Sequence, residues 1–195
     1  MSLRGAEGIT HLHYSGTPLW RFGHSESYTS FEIAQSDSTP DSATSSPDDY
    51  AVSAHHATVE ELAAQSKDQL PSYTVEVTNT GVVEGGLTLM GFVTCNDKAV
   101  VSAGFPRQRL FGFQGLKQKL APGESASIRL RMPTAQQLSV ADEHGHSYLH
   151  PGSYTVHLGA PPGSKGATFA VAAGALEVPL LLEGAAPKLL RAPQL

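Results

Sequence analysis

Tyr73-Thr-Val-Glu-Val-Thr-Asn-Thr-Gly81 is the stretch that decides the fold class. Tyr73, Val75 and Val77 alternate with Thr74, Glu76 and Thr78, the period of two that places successive side chains on opposite faces of a strand. Asn79-Thr-Gly81 then supplies turn chemistry. The same reading continues outward. Leu87-Thr-Leu-Met-Gly-Phe-Val93 is a second strand, with Gly91 at a bulge. Leu110–Phe113 and Leu116–Leu120 are short apolar runs, and Pro122-Gly123 turns into the alternating Ala126, Ile128, Leu130 and Met132. Leu138-Ser-Val140 precedes the polar turn Asp142-Glu-His-Gly145, and Pro151-Gly152 precedes Tyr154, Val156 and Leu158. About seven short strands separated by turns, with no run fit to be a crossover helix, predict an all-β, antiparallel two-sheet sandwich. It is expected over residues 70–160.

The flanks read differently. Met1 to Phe31 is rich in glycine and aromatic residues and lacks a helical period, so it reads as an extended segment built to pack on something larger. Gln35 to Tyr50 is Ser, Thr, Asp and Pro without a lysine or arginine. Such a stretch buries too little apolar surface to offset its ordering entropy, and a disordered insert is expected. Thr58-Val-Glu-Glu61 matches a capping box ahead of Leu62 and predicts one short helix. Phe169–Leu182 reads as a last strand pair and Pro187–Leu195 as a frayed tail.

At 195 residues, 40% of them hydrophobic, the chain holds one ordinary core plus appendages. A (β/α)₈ barrel of about 250 residues does not fit. The net charge of −5 gives no basic footprint for nucleic acid or an anionic membrane. The apolar run near Ala167–Leu182 is interrupted by Glu177 and Pro179 and is too short to span a bilayer. No signal peptide opens the sequence. The single cysteine, Cys95, has no partner for an internal disulfide. Neither Asn79 nor Asn96 lies in a glycosylation acceptor.

Read with Gly16-Thr-Pro-Leu-Trp-Arg-Phe-Gly-His-Ser-Glu-Ser-Tyr-Thr-Ser-Phe31, the strand motifs carry a further message. The order of that segment, then Val77-Thr-Asn-Thr-Gly81, Leu110-Phe-Gly-Phe113, Leu120-Ala-Pro-Gly-Glu124 and Pro151-Gly-Ser-Tyr-Thr-Val156 resembles the C-terminal end of glycoside hydrolase family three, the β-xylosidases and β-glucosidases. In that family a P-L-W-x-F-G-x-G-L-S-Y-T-x-F stretch closes the second catalytic domain, an α/β sandwich, and a fibronectin type III-like, immunoglobulin-like sandwich follows. The resemblance implies four parts: 1–31, a remnant of the second catalytic domain; 32–69, an insert with a short helix; 70–160, the fibronectin type III-like domain; 161–195, C-terminal strands and tail. Met1 then reads as an internal methionine of a longer frame. The implied role is non-catalytic. The domain would brace the family's catalytic domains in cis in an enzyme that hydrolyses O-glycosyl bonds in polysaccharide breakdown, in an extracellular setting. The rival readings are a free-standing carbohydrate-binding or protein-interaction module and a fragment without independent role. One departure stands out: Ser25 and Glu26 replace a glycine and an apolar residue of the family pattern.

The candidate chemistry is sparse. A retaining glycosidase needs two carboxyls about 5 to 5.5 Å apart. The adjacent pairs Asp48-Asp49, Glu60-Glu61 and Asp142-Glu143 read as solvated surface, so no catalytic residue is assigned. His144, His146 and His150 share a loop, and His11, His13, His55 and His56 lie elsewhere, but structural zinc takes four ligands. No metal and no cofactor is expected. Trp20, Phe22, His24 and Tyr28 are the residues to watch. They form either a domain interface or a sugar-stacking platform for an oligosaccharide, since aromatic faces suit pyranose rings.

Overall fold

The structure is a computed structural model and describes residues 8–24, 27–35, 49–50, 55–162 and 174–191. Its strands are Phe31–Gln35 (β1), Asp49–Tyr50 (β2), His55–Thr58 (β3), Ser72–Asn79 (β4), Thr88–Cys95 (β5), Arg109–Gly115 (β6), Ser125–Arg131 (β7), Ser139–Ala141 (β8), Ser147–Leu149 (β9), Gly152–Leu158 (β10), Leu176–Glu183 (β11) and Lys188–Arg191 (β12). Four short α-helices accompany them among the described residues: Thr10–His13 (α1), Val59–Ala64 (α2), Lys98–Ser102 (α3) and Ala135–Leu138 (α4).

Strand β4 forms where the period of two was strongest, and it organises the first sheet. It pairs antiparallel with β7 along one edge and with β1 on the other, while β2 adds a short parallel pairing. The second sheet runs β3-β11-β10-β5-β6, antiparallel except where β3 joins β11. The two sheets meet through the residues the alternation marked. Tyr73, Val75, Val77, Ile128 and Leu130 from one face Leu89, Val93, Tyr154, Val156 and Leu158 from the other in a single buried cluster. The two-sheet sandwich is therefore present. A third, smaller antiparallel sheet, β12-β9-β8, is added to it.

The bulge anticipated at Gly91 is real and has a packing consequence. Gly91 pairs with Gly112 but Phe92 pairs with Leu110, so Phe111 is the extra residue. Its ring is turned into the core, and a Cβ on Gly91 would overlap Phe111 Cζ and come 2.5 Å from Leu130 Cδ2. The turn after β4 is likewise more than a turn. Asn79 is fully buried. Its Oδ1 accepts from Thr29 Oγ1 at 2.6 Å and Gly81 N at 3.1 Å, and its Nδ2 donates to the carbonyls of Val83 and Leu120, both at 2.8 Å. Both ends of the amide are satisfied, which is what permits its burial.

Several expectations are corrected. Residues 32–69 are not merely an insert: Phe31–Gln35 and His55–Thr58 are strands of the two main sheets, and Asp49–Tyr50 pairs with β4. Each of these runs is too short to show a period by itself, and the pairing partner decides it. Of Gln35–Tyr50, expected from composition to be disordered, Gln35 ends β1 and Asp49–Tyr50 form β2, while residues 36–48 lie outside the described residues. The extended reading of the N-terminal segment misses one helical turn, α1. Of Phe169–Leu182, read as a last strand pair, the described part belongs to β11, which lies inside the second sheet between β10 and β3; residues 163–173 are outside the described set. The frayed tail is also corrected, because Lys188–Arg191 pairs with β9. Leu116–Leu120 forms no strand, only the bridge of Leu120 to Gly85. The capping box held: Glu61 N donates to Thr58 Oγ1 and Thr58 N to Glu61 Oε2.

Candidate functional site

The outer face of the five-stranded sheet, away from the shared core, carries the N-terminal segment. Phe22 sets its ring edge-on against Phe92 at 6.0 Å, and Phe92 is fully buried beneath it. Gly23 follows with φ +82°, a conformation glycine adopts without steric cost. A Cβ there would come 2.9 Å from Met90 Cε and 3.1 Å from Pro161 Cγ, so the backbone itself lies against the sheet. Helix α1 brings the His11 ring flat onto Phe22, with centroids 4.0 Å apart and planes at 13°. The Arg107 backbone N–H donates to the Leu12 carbonyl and its Nη1 to the Tyr14 carbonyl, both at 2.9 Å, fastening segment to sandwich.

Between them lies a cavity of about 490 Å³, within the range of small-molecule sites. Its aromatic wall is Tyr14, Trp20 and Phe22, with Pro161 and Pro162 at the rim. Arg21, Arg107 and Gln108 supply polar groups, and no aspartate or glutamate lines it among the described residues. Burial lowers the pKa of His11, which also lines the cavity.

Of the four residues singled out from sequence, three come together. Trp20 stacks at a tilt against His24, 4.6 Å between centroids, and Phe22 is next to them in the cavity wall. Trp20 remains 66% exposed, so one indole face is available. Tyr28 is not part of this group: it is 95% exposed and absent from the cavity lining. Among the described residues, Leu19 at 96% and Val82 at 90% are the other large apolar side chains left almost entirely in solvent. Ser25 and Glu26, the departures from the family pattern, lie outside the described residues. His11, Tyr14 and Arg107 were missed as cavity residues. Arg107 is more than ninety positions from Tyr14 in sequence, and no local pattern announces that meeting.

Among the described residues the carboxylate pairs do not converge. Glu61 is held by the Thr58 cap, which lowers its pKa through hydrogen bonds from the Thr58 backbone and side chain. Asp48 lies outside the described residues. Asp142 closes the β8–β9 turn, accepting from His144 N and His146 N at Oδ1 and facing His146 Nδ1 at 3.1 Å through Oδ2. Burial raises its pKa, but the two backbone donors and the imidazole outweigh that and leave it lowered. Asp142, His144 and His146 place one ligand atom each within 4.8 Å of one another. Sequence reasoning grouped the histidines with His150 instead and overlooked the carboxylate. Three ligands leave a cation site open, and the carboxylate is already engaged in holding the turn. On the outer face of β10, His157 is buried, 3.0 Å from Thr94 Oγ1 through Nε2 and 3.4 Å from Glu177 Oε1 through Nδ1.

Comparison with known proteins places this geometry. Residues 96–161 match the family model of the fibronectin type III-like domain. The chain carries a fibronectin type III-like domain, similar to a stretch of family-three glycoside hydrolases. The domain resembles a stretch of the exo-1,4-beta-xylosidase xlnD of Emericella nidulans, 32% identical over 154 residues, which covers 79% of this chain and 18% of the relative. The probable exo-1,4-beta-xylosidase xlnD of Aspergillus clavatus is 30% identical over 164 residues, 81% of this chain and 19% of its own. In fold, the domain is similar to a GH3 exo-beta-xylosidase (XlnD) solved with a xylobiose aziridine activity-based probe, with a TM-score of 0.67 and 24% identity over 96% of this chain and 21% of that one. A beta-glucosidase from Kluyveromyces marxianus in complex with glucose gives a TM-score of 0.56 at 20% identity, over 87% of this chain and 16% of that one. The chain thus spans about a fifth of the length of the relatives it matches.

Proposed function

We propose that this chain is the non-catalytic, fibronectin type III-like C-terminal domain of a family-three glycoside hydrolase of the β-xylosidase or β-glucosidase type. It braces the catalytic domains in cis, in an extracellular enzyme of polysaccharide breakdown. Residues 1–31 are the end of the preceding domain in this reading. The observation that carries it is the N-terminal segment laid across an outer sheet face with Leu19 and Tyr28 almost wholly exposed. In this reading the catalytic domains cover these two side chains. The two positioned carboxyls that glycoside hydrolysis needs are absent from the cavity lining among the described residues.

The test is a complementation assay. The purified chain should not hydrolyse aryl β-xylosides or β-glucosides, with an Asp142→Asn, Glu143→Gln variant as the control for contaminating enzyme. Added to a xylosidase relative truncated before the matching stretch, it should bind and restore turnover, and Leu19→Ser with Tyr28→Ser should weaken that binding. Hydrolysis by the chain alone that disappears in the carboxylate variant, or no association with the truncated relative, overturns the reading.

A second reading is favoured by the cavity: the same domain holds an oligosaccharide against Trp20 and Phe22. It does not compete for Leu19 and Tyr28, since neither lines the cavity.

A further inference from the structure

We propose that the cavity between the N-terminal segment and the sandwich is a site for an acidic saccharide, a sugar bearing a carboxylate. This inference rests on the oligosaccharide reading above and specifies the ligand's charge.

Size and wall chemistry define the sugar part. About 490 Å³ accommodates a disaccharide. Phe22 is committed on one face to His11 and at its edge to Phe92, whereas Trp20 keeps most of its surface in solvent. An indole face is flat, rigid and amphipathic, which suits the C–H face of a pyranose. Tyr14 and Gln108 add hydrogen-bonding groups for hydroxyls.

Charge defines the rest. The chain has a net charge of −5, yet this cavity is lined by Arg21 and Arg107 and by no carboxylate among the described residues. A neutral sugar would gain nothing particular from that reversal of sign. Arg107 is positioned rather than loose: its backbone N–H is tied to Leu12 and one guanidinium nitrogen to Tyr14. A guanidinium carries five N–H donors in a planar fork, so one such bond leaves the donors for a bidentate carboxylate contact. Because the Tyr14 carbonyl holds the side chain in place, little rotamer freedom is left to lose on binding.

The experiment compares two disaccharides that differ only at C6: cellobiouronic acid, with a carboxylate, and cellobiose. Binding to the full chain is measured by calorimetry at neutral pH and low salt, where the uronate is ionised. The acid should bind about tenfold or more tightly than cellobiose, the ratio expected of a charge-assisted contact. Raising the salt should narrow that gap. Arg107→Gln should erase the preference, with circular dichroism checking that the fold is kept. Trp20→Ala, a substitution at an exposed side chain, should weaken both ligands alike. Equal binding of the two disaccharides overturns the acidic preference and leaves the oligosaccharide reading standing. Failure of both to bind overturns both. A preference for the acid that survives Arg107→Gln overturns the assignment to this cavity.

Discussion

Asn79→Ala is the substitution for which the structure predicts most from one side chain. The residue makes four hydrogen bonds while fully buried, and they join three separate pieces of chain to the end of β4. Two of the partners have a second bond to fall back on: Gly81 N also donates to Ser30 O, and Leu120 O also accepts from Gly85 N. Those two losses cost about 0.5–1 kcal/mol each. Thr29 is itself buried, and its hydroxyl would lose its acceptor; the Val83 carbonyl would lose its donor beside a half-exposed side chain that water can reach. A buried group left unmatched costs about 1–3 kcal/mol, a hydrated one about 1. The sum is about 3–6 kcal/mol, a large part of the 5–15 kcal/mol typical of a folded domain. For a chain of this length it lowers the melting temperature by roughly 6–24 °C.

Urea unfolding followed by circular dichroism measures the effect directly. Asn79→Asp separates hydrogen bonding from shape, because it keeps the volume but turns two donors into acceptors facing the carbonyls of Val83 and Leu120. Its carboxyl, buried without a cation, would titrate above an ordinary aspartate. The neutral form is then favoured in the folded state, so the variant is least destabilised below about pH 4 and loses stability as pH rises through the raised value. A cost under about 1 kcal/mol for alanine, or an aspartate variant no worse than alanine at neutral pH, would refute this account of the turn.

Gly91→Ala should destabilise by about 1–3 kcal/mol through overpacking alone, since its Cβ meets Phe111 and Leu130; a neutral result in thermal unfolding would show that the bulge can relax. Burial lowers the pKa of His157, only partly offset by Glu177, and burial lowers that of His55. The folded state therefore resists protonation, so stability is full above the ordinary histidine value of 6.5 and falls as pH drops through it. Denaturation midpoints should be lower at about pH 5.5 than at about pH 7.5, and His157→Gln with His55→Gln should flatten the difference; an unchanged slope in the double variant argues against it. Zinc should stay substoichiometric after dialysis, because the Asp142 turn offers three ligand atoms, one on an engaged carboxylate. One tightly held zinc per chain in elemental analysis would reverse that conclusion.

What was local was legible in the sequence. The alternation of Tyr73, Val75 and Val77, the Thr58–Glu61 cap and the Gly91 bulge each depend on neighbours within a few positions, so residue type and spacing sufficed. The order of motifs, Gly16–Phe31 followed by those of β4 to β10, likewise carried the resemblance that implied a fibronectin type III-like domain. What needed the tertiary structure was every feature made by partners far apart in the chain. His55–Thr58 and Lys188–Arg191 are too short to carry a period, and they become strands because Leu180–Glu183 and Ser147–Leu149 present open edges to them. Asn79 reads as a turn residue until Thr29 and Leu120 are brought to it. Tyr28 could not be separated from Trp20 and Phe22 by composition; only the path of the segment over Phe92 and Met90 leaves one ring in solvent and sets the others around a cavity. The pairing of Arg107 with Tyr14, which makes that cavity cationic, spans more than ninety residues. Periodicity encodes which face of an element is buried, but not which distant element arrives to bury it.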